Sequence, residues 1–296
     1  MSILSIEDLS KRYGSIQALK NVSFTVPKGS VFGILGPNGS GKTTLLGTIM
    51  DILKPTSGTY RLFDEKPTDL HRRQIGTLLE TPNFYHYLSA VQNLQIAAAI
   101  KRKGKEDITK VLEMVNLTQR KDSKFSTYSL GMKQRLAIAS CLLGNPEVLV
   151  FDEPTNGLDP VGIAEIRELI KKLYHEGKTI IMASHLLDEV EKVCTHVAIL
   201  KRGQLIATGD VNEILANEDI VEVGATDMVK LKSIVRSMNN YSSMKEDNNL
   251  VQLFYPIGKV DMTQINQYCF DKGITLCHLQ LKKKSLEAKF FELTNN

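Results

Sequence analysis

The residues with the clearest chemistry form one stretch, Gly36-Pro37-Asn38-Gly39-Ser40-Gly41-Lys42-Thr43-Thr44. Glycines at these intervals let successive backbone N–H groups turn towards one point, which makes a nest for an anion. A helix opening at the end of the stretch adds its positive dipole end. Lys42 places a point charge on outer phosphates, and the Thr43 hydroxyl supplies an oxygen to a magnesium ion bound there. The Gly-x-x-x-x-Gly-Lys-Thr spacing carries this meaning only between a buried strand and a helix. Val31-Phe32-Gly33-Ile34-Leu35 reads as the strand and Leu45-Leu46-Gly47-Thr48-Ile49-Met50 as the helix. Taken alone, the loop implies a nucleoside triphosphate and nothing more specific.

A second group of residues narrows the chemistry. The apolar run Val148-Leu149-Val150-Phe151 ends in Asp152-Glu153. A carboxylate at the end of a buried strand can hold magnesium through its waters. The next carboxylate is then placed to orient or deprotonate an attacking water. A polar strand end is common by itself, but here Pro154-Thr155-Asn156-Gly157-Leu158-Asp159-Pro160 follows directly. Upstream of the loop lies Tyr13, in Lys11-Arg12-Tyr13-Gly14. Its ring either packs on a sheet edge or stacks on a base, the latter typically worth ~1–3 kcal/mol.

The elements that position these residues follow from periodicity. Ile3 to Leu9 and Val22 to Val26 alternate apolar and polar residues as half-buried strands do. Thr59 to Phe63 and Ile75 to Glu80 read as further strands, and Lys54-Pro55-Thr56-Ser57-Gly58 as the stop of the loop's helix. From Ser89, an N-cap candidate, to about Asn145 the spacing is helical. Strands return at Val148 to Asp152, Thr179 to Ala183 and Val197 to Leu200, separated by helical patterns at Ile163 to Tyr174 and Leu187 to Cys194. Such alternation implies an α/β fold with a parallel sheet, whose ligands bind at the carboxyl ends of its strands. From about Asp219 the texture becomes that of a small α+β domain, with strands at Ile220 to Val223, Val251 to Phe254 and Ile274 to Leu281. Helical segments lie between them and at Leu286 to Leu293, and Asn239 to Asn249 reads as a polar loop. The expected division is 1–218 and 219–296, with a helical subdomain at about 82–145.

Bulk properties exclude more than they assign. The 296 residues carry a net charge of +4, and the basic residues do not cluster, so nothing points to a nucleic-acid partner. Cys141, Cys194, Cys269 and Cys277 show no Cys-x-x-Cys spacing and read as free thiols in a reducing compartment. Glu7 and Asp8 leave no room for a secretory signal near the start, and the longest nearly apolar run, Leu136 to Gly144, is too short to span a bilayer.

With these residues in order, the chain resembles the ATP-binding subunit of an ABC transporter over about residues 2–218. Tyr13 matches the adenine-stacking aromatic, Gly36 to Thr44 the phosphate loop, and Glu80 the position of the glutamine loop. Tyr128-Ser129-Leu130-Gly131-Met132-Lys133-Gln134-Arg135 matches the family signature, and His185 in Ala183-Ser184-His185 the switch histidine. Phe151-Asp152-Glu153-Pro154 and Asn156-Gly157-Leu158-Asp159 match the magnesium, catalytic and dimer-contact segments. The resemblance implies a P-loop ATPase core made of a parallel sheet, an antiparallel β subdomain and an inserted helical subdomain. ATP and Mg2+ would be bound by Tyr13, Gly36 to Thr44, Asp152 and Glu80, with Glu153 and His185 catalytic. Ser129 and Gly131 open a helix, an anion site by the rules of helix termini. By resemblance that anion is the γ-phosphate of ATP on a second subunit, with Asp159 at the contact and a homodimer as the implied assembly.

The resemblance further implies a separate membrane-spanning permease, a place on the cytoplasmic face of the cell membrane, and hydrolysis coupled to export. Glu80 departs from the usual glutamine, and Leu130 and Met132 from the usual glycine and glutamine. Those departures and the C-terminal domain resemble the branch of ABC-2-type exporters of lipids, drugs and bacteriocin-like peptides, including bacitracin- and lantibiotic-resistance systems. The permease's coupling element is expected to dock near Tyr85 to Asn93, where Phe84, Tyr85 and Tyr87 are either exposed or core. The alternative is a non-transport ABC ATPase acting on nucleic acid or ribosomes, which usually carries two cassettes or a long coiled-coil insertion. A switch GTPase would need Asn-Lys-x-Asp, which the sequence lacks.

Overall fold

The computed structural model describes residues 1–79, 83–215, 219–238, 240–247, 250–256, 258–283, 286 and 290. The chain divides into two compact units, Met1–Asp210 and Val211–Asn296. In chain order the first unit contains β1 (Ser2–Tyr13), β2 (Ile16–Pro27), β3 (Val31–Leu35), α1 (Lys42–Ile49), β4 (Ser57–Leu62), α2 (Asp69–Arg72) and β5 (Ile75–Leu78). Then follow α3 (Ala90–Lys101), α4 (Ile108–Met114), α5 (Leu130–Leu142), β6 (Val148–Asp152), α6 (Pro160–His175), β7 (Thr179–Ser184), α7 (Leu187–Val193), β8 (His196–Lys201) and β9 (Gln204–Asp210).

Six strands form one sheet in the order β5-β6-β7-β3-β8-β9, parallel except for the edge strand β9. β3, β6 and β7 are buried at every residue, which is why they read as continuous apolar runs rather than alternating ones. A second sheet, β2-β1-β4, is antiparallel and alternates as a half-buried sheet must. One core joins the two: Ile3, Leu4, Ile6 and Leu9 of β1 cluster with Ile34, Leu45, Leu46, Val150 and Leu200. Phe24 stacks on Phe32 at 5.3 Å between ring centroids. Each such buried aliphatic or aromatic side chain stabilises the fold by roughly 1.5–3 kcal/mol.

Three helices and two short 3-10 turns occupy the stretch from Ser89 to Asn145, as its periodicity predicts. Ser89 caps α3 in a reciprocal box with Gln92: its hydroxyl accepts from the Gln92 N–H, and the Gln92 side chain accepts from the Ser89 N–H. Elsewhere the boundaries move. α1 stops at Ile49, not at Pro55, because Ile52 and Leu53 N–H both turn back to the Gly47 carbonyl and Asp51 adopts a φ of +63°. β1 continues past Leu9 to Tyr13, held by pairing with Ile16.

The second unit contains α8 (Val211–Leu215), β10 (Asp219–Ala225), α9 (Met228–Arg236), β11 (Ser243–Asp247), β12 (Leu250–Tyr255), α10 (Met262–Asp271) and β13 (Leu276–Lys283). Its antiparallel sheet, β11-β12-β10-β13, with a helix after β10 and after β12, is a split β-α-β arrangement. Val221, Val223, Val251, Leu253 and Tyr255 share one face with Leu231 and Val235 of α9 and Ile265 and Cys269 of α10. The stretch read as a polar loop contains β11. An edge strand pairs through its backbone, so its exposed side chains give no alternation to detect. Most of the helical pattern at Leu286 to Leu293 lies outside the described residues.

Candidate nucleotide site

Parallel pairing brings three strand ends to one level. Leu35 of β3 pairs with Ser184 of β7, and Ala183 of β7 pairs with Asp152 of β6. Gly36, His185 and Glu153 each follow directly, so they sit side by side at the carboxyl ends of neighbouring strands about 4.8 Å apart.

The loop from Gly36 to Thr44 has a buried wall and an exposed rim. Gly36, Ser40 and Lys42 are buried, while Pro37, Asn38 and Gly39 face solvent. Gly36 has φ +157°, and a Cβ there would lie 2.3 Å from the Leu200 carbonyl and 2.4 Å from Ser40 Oγ. At Gly41, with φ +105°, it would lie 2.6 Å from the Ala18 carbonyl. Only glycine fits either place. The turn between β8 and β9 braces this wall: the Gly203 N–H donates to the Ser40 carbonyl (3.0 Å), and the Lys20 N–H donates to the Gly203 carbonyl (2.7 Å). Ala18, Leu200 and Gly203 were not legible as parts of the site, since all three act through backbone atoms.

Phosphate fits this cradle. Ser40 Oγ is buried with no hydrogen-bond partner, and at the start of α1 the N–H groups of Lys42, Thr43 and Thr44 precede the first helical bond, which Leu45 makes to the Gly41 carbonyl at 2.9 Å. Lys42 is 6% exposed, and its Nζ donates to the Gly36 carbonyl at 2.8 Å. Thr43 and half-buried Thr44 complete the first turn.

Glu153 adopts φ +49°, a left-handed conformation that costs a non-glycine residue roughly 1–2 kcal/mol. Its N–H donates to the Ala183 carbonyl at 3.0 Å, which ties the strained residue to β7. One carboxylate oxygen, Oε1, lies 3.3 Å from Lys42 Nζ. The other, Oε2, lies 2.8 Å from His185 Nδ1 and accepts from the His185 N–H at 3.4 Å. An ionised carboxylate only accepts, so Nδ1 carries the proton, and in neutral His185 Nε2 is left as an acceptor. Asp152, 7% exposed, ends β6 beside this group.

Ser129, Gly131 and Asp159 gather elsewhere in the unit, around a cavity of about 370 Å³. Ser129 caps α5, its hydroxyl accepting from the Met132 N–H at 3.3 Å, and Asp159 caps α6, accepting from the Gly162 N–H at 3.0 Å. No atom lies within 4 Å of a Cβ placed on Gly131, so the start of α5 is open. Tyr13 ends β1, is 43% exposed, and has Lys11 Nζ over its ring at 5.1 Å. Glu80 lies outside the described residues. The unit thus holds two separate clusters: the loop with Asp152, Glu153 and His185, and Ser129 and Gly131 with Asp159.

Among the described residues no helix is long and apolar enough to cross a membrane. The family described as "ABC transporter" matches residues 19–156. The chain is 36% identical over 298 residues to the uncharacterized ABC transporter ATP-binding protein YhcH of Bacillus subtilis, covering 99% of this chain and 96% of that one. It is 34% identical over 297 residues to the bacitracin transport ATP-binding protein BcrA of Enterococcus faecalis, covering 98% and 96%. Among solved structures it is similar to the ATP-binding cassette MJ0796 in a dimeric post-hydrolysis state bound to ADP and Pi, with a TM-score of 0.62, 28% identity and coverage of 70% and 98%. The cradle, the strand-end carboxylates and these similarities agree: the chain belongs to the ABC transporter family and is one of its ATPase subunits.

Proposed function

We propose that this chain binds ATP between two copies of itself, hydrolyses it at Glu153, and thereby drives export of an amphiphilic or peptide antibiotic by a separate membrane-spanning permease. The observation that carries the reading is Glu153, held in strained backbone with one oxygen towards the loop lysine and the other on His185. A carboxylate fixed this way accepts the proton of an attacking water, and His185 Nε2 is left to meet the phosphoryl group or that water. Lys42 and the loop N–H groups hold the phosphates, and Tyr13 offers its ring to the base.

Thr43 and Asp152 are hard oxygen donors and suit magnesium, which takes few protein ligands when phosphates and water supply the rest. Bound there, the ion would neutralise charge on the phosphoryl oxygens. The open start of α5, with Ser129 and Gly131, and the Asp159 cap behind it form a surface that meets the γ-phosphate of a partner's ATP. The partner permease fits a groove of about 640 Å³ lined by Phe84, Tyr85, His86, Ile96, Ile100 and Phe125. Bound to that permease, the chain lies on the cytoplasmic face of the cell membrane. The similarity to a bacitracin transport protein supports the substrate class.

The test is Glu153→Gln with magnesium-ATP. Hydrolysis falls by about 10²–10⁴-fold, and sedimentation detects an ATP-dependent dimer. A variant that stays monomeric at saturating ATP sinks the two-copy mechanism.

A further inference from the structure

Beyond the carboxyl end of α1 lies a cavity of about 500 Å³ that ATP hydrolysis does not use. It runs over the open edge of β4 and is lined by Asp51, Lys54, Tyr60, Arg61, Lys66 and Arg72, with Pro55 and Pro67 as apolar walls. The eight residues of α1 separate it from the phosphate loop by about 12 Å.

Its charge is not balanced from within. Four cations face one carboxylate, and that carboxylate is committed: Asp51 pairs with Lys54 at 2.9 Å and Arg72 at 3.2 Å. The other acids of the same segment are engaged too, and none reaches Arg61 or Lys66. Asp69 holds Arg72 at 2.7 Å, Glu65 faces His71 at 3.3 Å, and Asp64 accepts from the Ser2 N–H at 3.2 Å. The side chains of Arg61 and Lys66 make no hydrogen bond or ion pair among the described residues; Arg61 feels Asp64 only through its field. Arg72, only 18% exposed, is locked by its two carboxylates, so one edge of the cavity is pre-set. Tyr60 is half-buried beside it and packs against the core, with its hydroxyl on Arg72.

We propose that this cavity is a second anion site, which takes a phosphate ester through the Arg61 fork and the Lys66 and Lys54 ammonium groups. A planar guanidinium with flanking point charges is the donor set that phosphate selects. The volume exceeds that of one phosphate, so the ester carries further atoms along the proline walls. A soluble phosphorylated metabolite and the phosphate of a lipid headgroup share this chemistry.

The experiment uses the full chain carrying Lys42→Ala, which silences the phosphate loop. Inorganic pyrophosphate is titrated by calorimetry, and flotation is measured with vesicles of phosphatidylcholine alone or with one-fifth phosphatidylglycerol. The expected result is binding of at least one phosphate probe, weakened tenfold or more by Arg61→Glu with Lys66→Glu and less by the paired glutamine variant. Loss of pyrophosphate binding assigns a soluble ligand; loss of flotation confined to phosphatidylglycerol vesicles assigns a headgroup. In the chain that keeps Lys42 intact the same charge reversal leaves ATP hydrolysis within twofold, which certifies the fold. Absence of binding by both probes, or binding that the charge reversal leaves unchanged, overturns the proposal.

Discussion

His185 Nδ1 stands 2.8 Å from Glu153 Oε2, and this contact joins the end of β7 to the end of β6. It fixes the rotamer of a carboxylate whose other oxygen faces Lys42. Without the ring, Glu153 keeps its charge but loses its aim. His185→Ala is expected to lower kcat by about 10²–10³-fold, within the range for misplacing an acid–base group. KM for ATP should move by no more than about threefold, since the phosphate cradle is untouched. Steady-state kinetics check the split, and a variant whose defect lies only in KM would remove His185 from the hydrolytic step.

Gly36 and Gly131 give opposite expectations for the same substitution. A Cβ at Gly36 meets the Leu200 carbonyl at 2.3 Å, whereas at Gly131 it meets nothing within 4 Å. Gly36→Ala should distort the cradle by about 1–3 kcal/mol of overpacking and weaken ATP binding tenfold or more. Gly131→Ala should leave ATP binding by the monomer intact and slow hydrolysis, since Gly131 is proposed to meet the partner's ATP. Fluorescent-nucleotide anisotropy beside the turnover assay separates the two.

Asn93 is 2% exposed and staples the segment before α3 to that helix. Its Oδ1 accepts from the Tyr85 N–H at 2.8 Å, and its Nδ2 donates to the carbonyls of Tyr85 at 3.1 Å and Ser89 at 3.0 Å. The segment carries Tyr85 and Tyr87, 49% and 67% exposed and packed edge to face. Phe84, half-buried, instead packs edge to face on buried Phe125 at 5.2 Å. Asn93→Ala should cost about 1–3 kcal/mol. Basal ATPase activity should persist while stimulation by the permease falls, as measured in reconstituted vesicles.

The four thiols should react in two classes. Cys141, Cys194 and Cys269 are buried and Cys277 is exposed. Burial pushes the Cys141 thiol up to about 11 and raises Cys194 and Cys269 as well. At pH 8 a thiol reagent should therefore modify one cysteine quickly and the other three only after denaturation. Fast modification of two or more in the native chain would refute the burial argument.

Glu222 lies on the sheet face opposite the helices of the second unit, 3% exposed, accepting from Lys282 Nζ at 2.8 Å and Gln252 Nε2 at 3.0 Å. The Lys282 contact above all holds its carboxyl below the ordinary value of 4.5. A depressed folded-state value stabilises the unit above the unfolded value and loses that contribution as pH falls through the folded one. Acid unfolding of the second unit should therefore begin below pH 4.5, and Glu222→Gln should flatten that limb of the curve. Circular dichroism against pH measures both.

Local chemistry made half of this protein readable. The phosphate loop is contiguous, its glycines and lysine act within one turn, and the apolar runs of β3, β6 and β7 announce fully buried parallel strands. Caps are equally local, so Ser89 and Ser129 could be read as helix starts, whereas the Asp159 cap emerged only with the structure. β9 and β11 were not legible, because neither buries alternate side chains: β9 is half-buried along most of its length and β11 is almost wholly exposed.

By itself, then, the sequence determined the nucleotide loop, the strand-end carboxylates, the helix starts and the alternation that builds a parallel sheet. The tertiary structure alone decided that β7 lies between β3 and β6, and hence that His185 meets Glu153 and Glu153 meets Lys42. It also decided that the turn at Gly203 backs the loop and that Arg61 and Lys66 face a cavity with no carboxylate left for them. The reason is physical: spacing along a chain fixes which side an element buries, but strand order and charge balance arise only when distant segments share a surface.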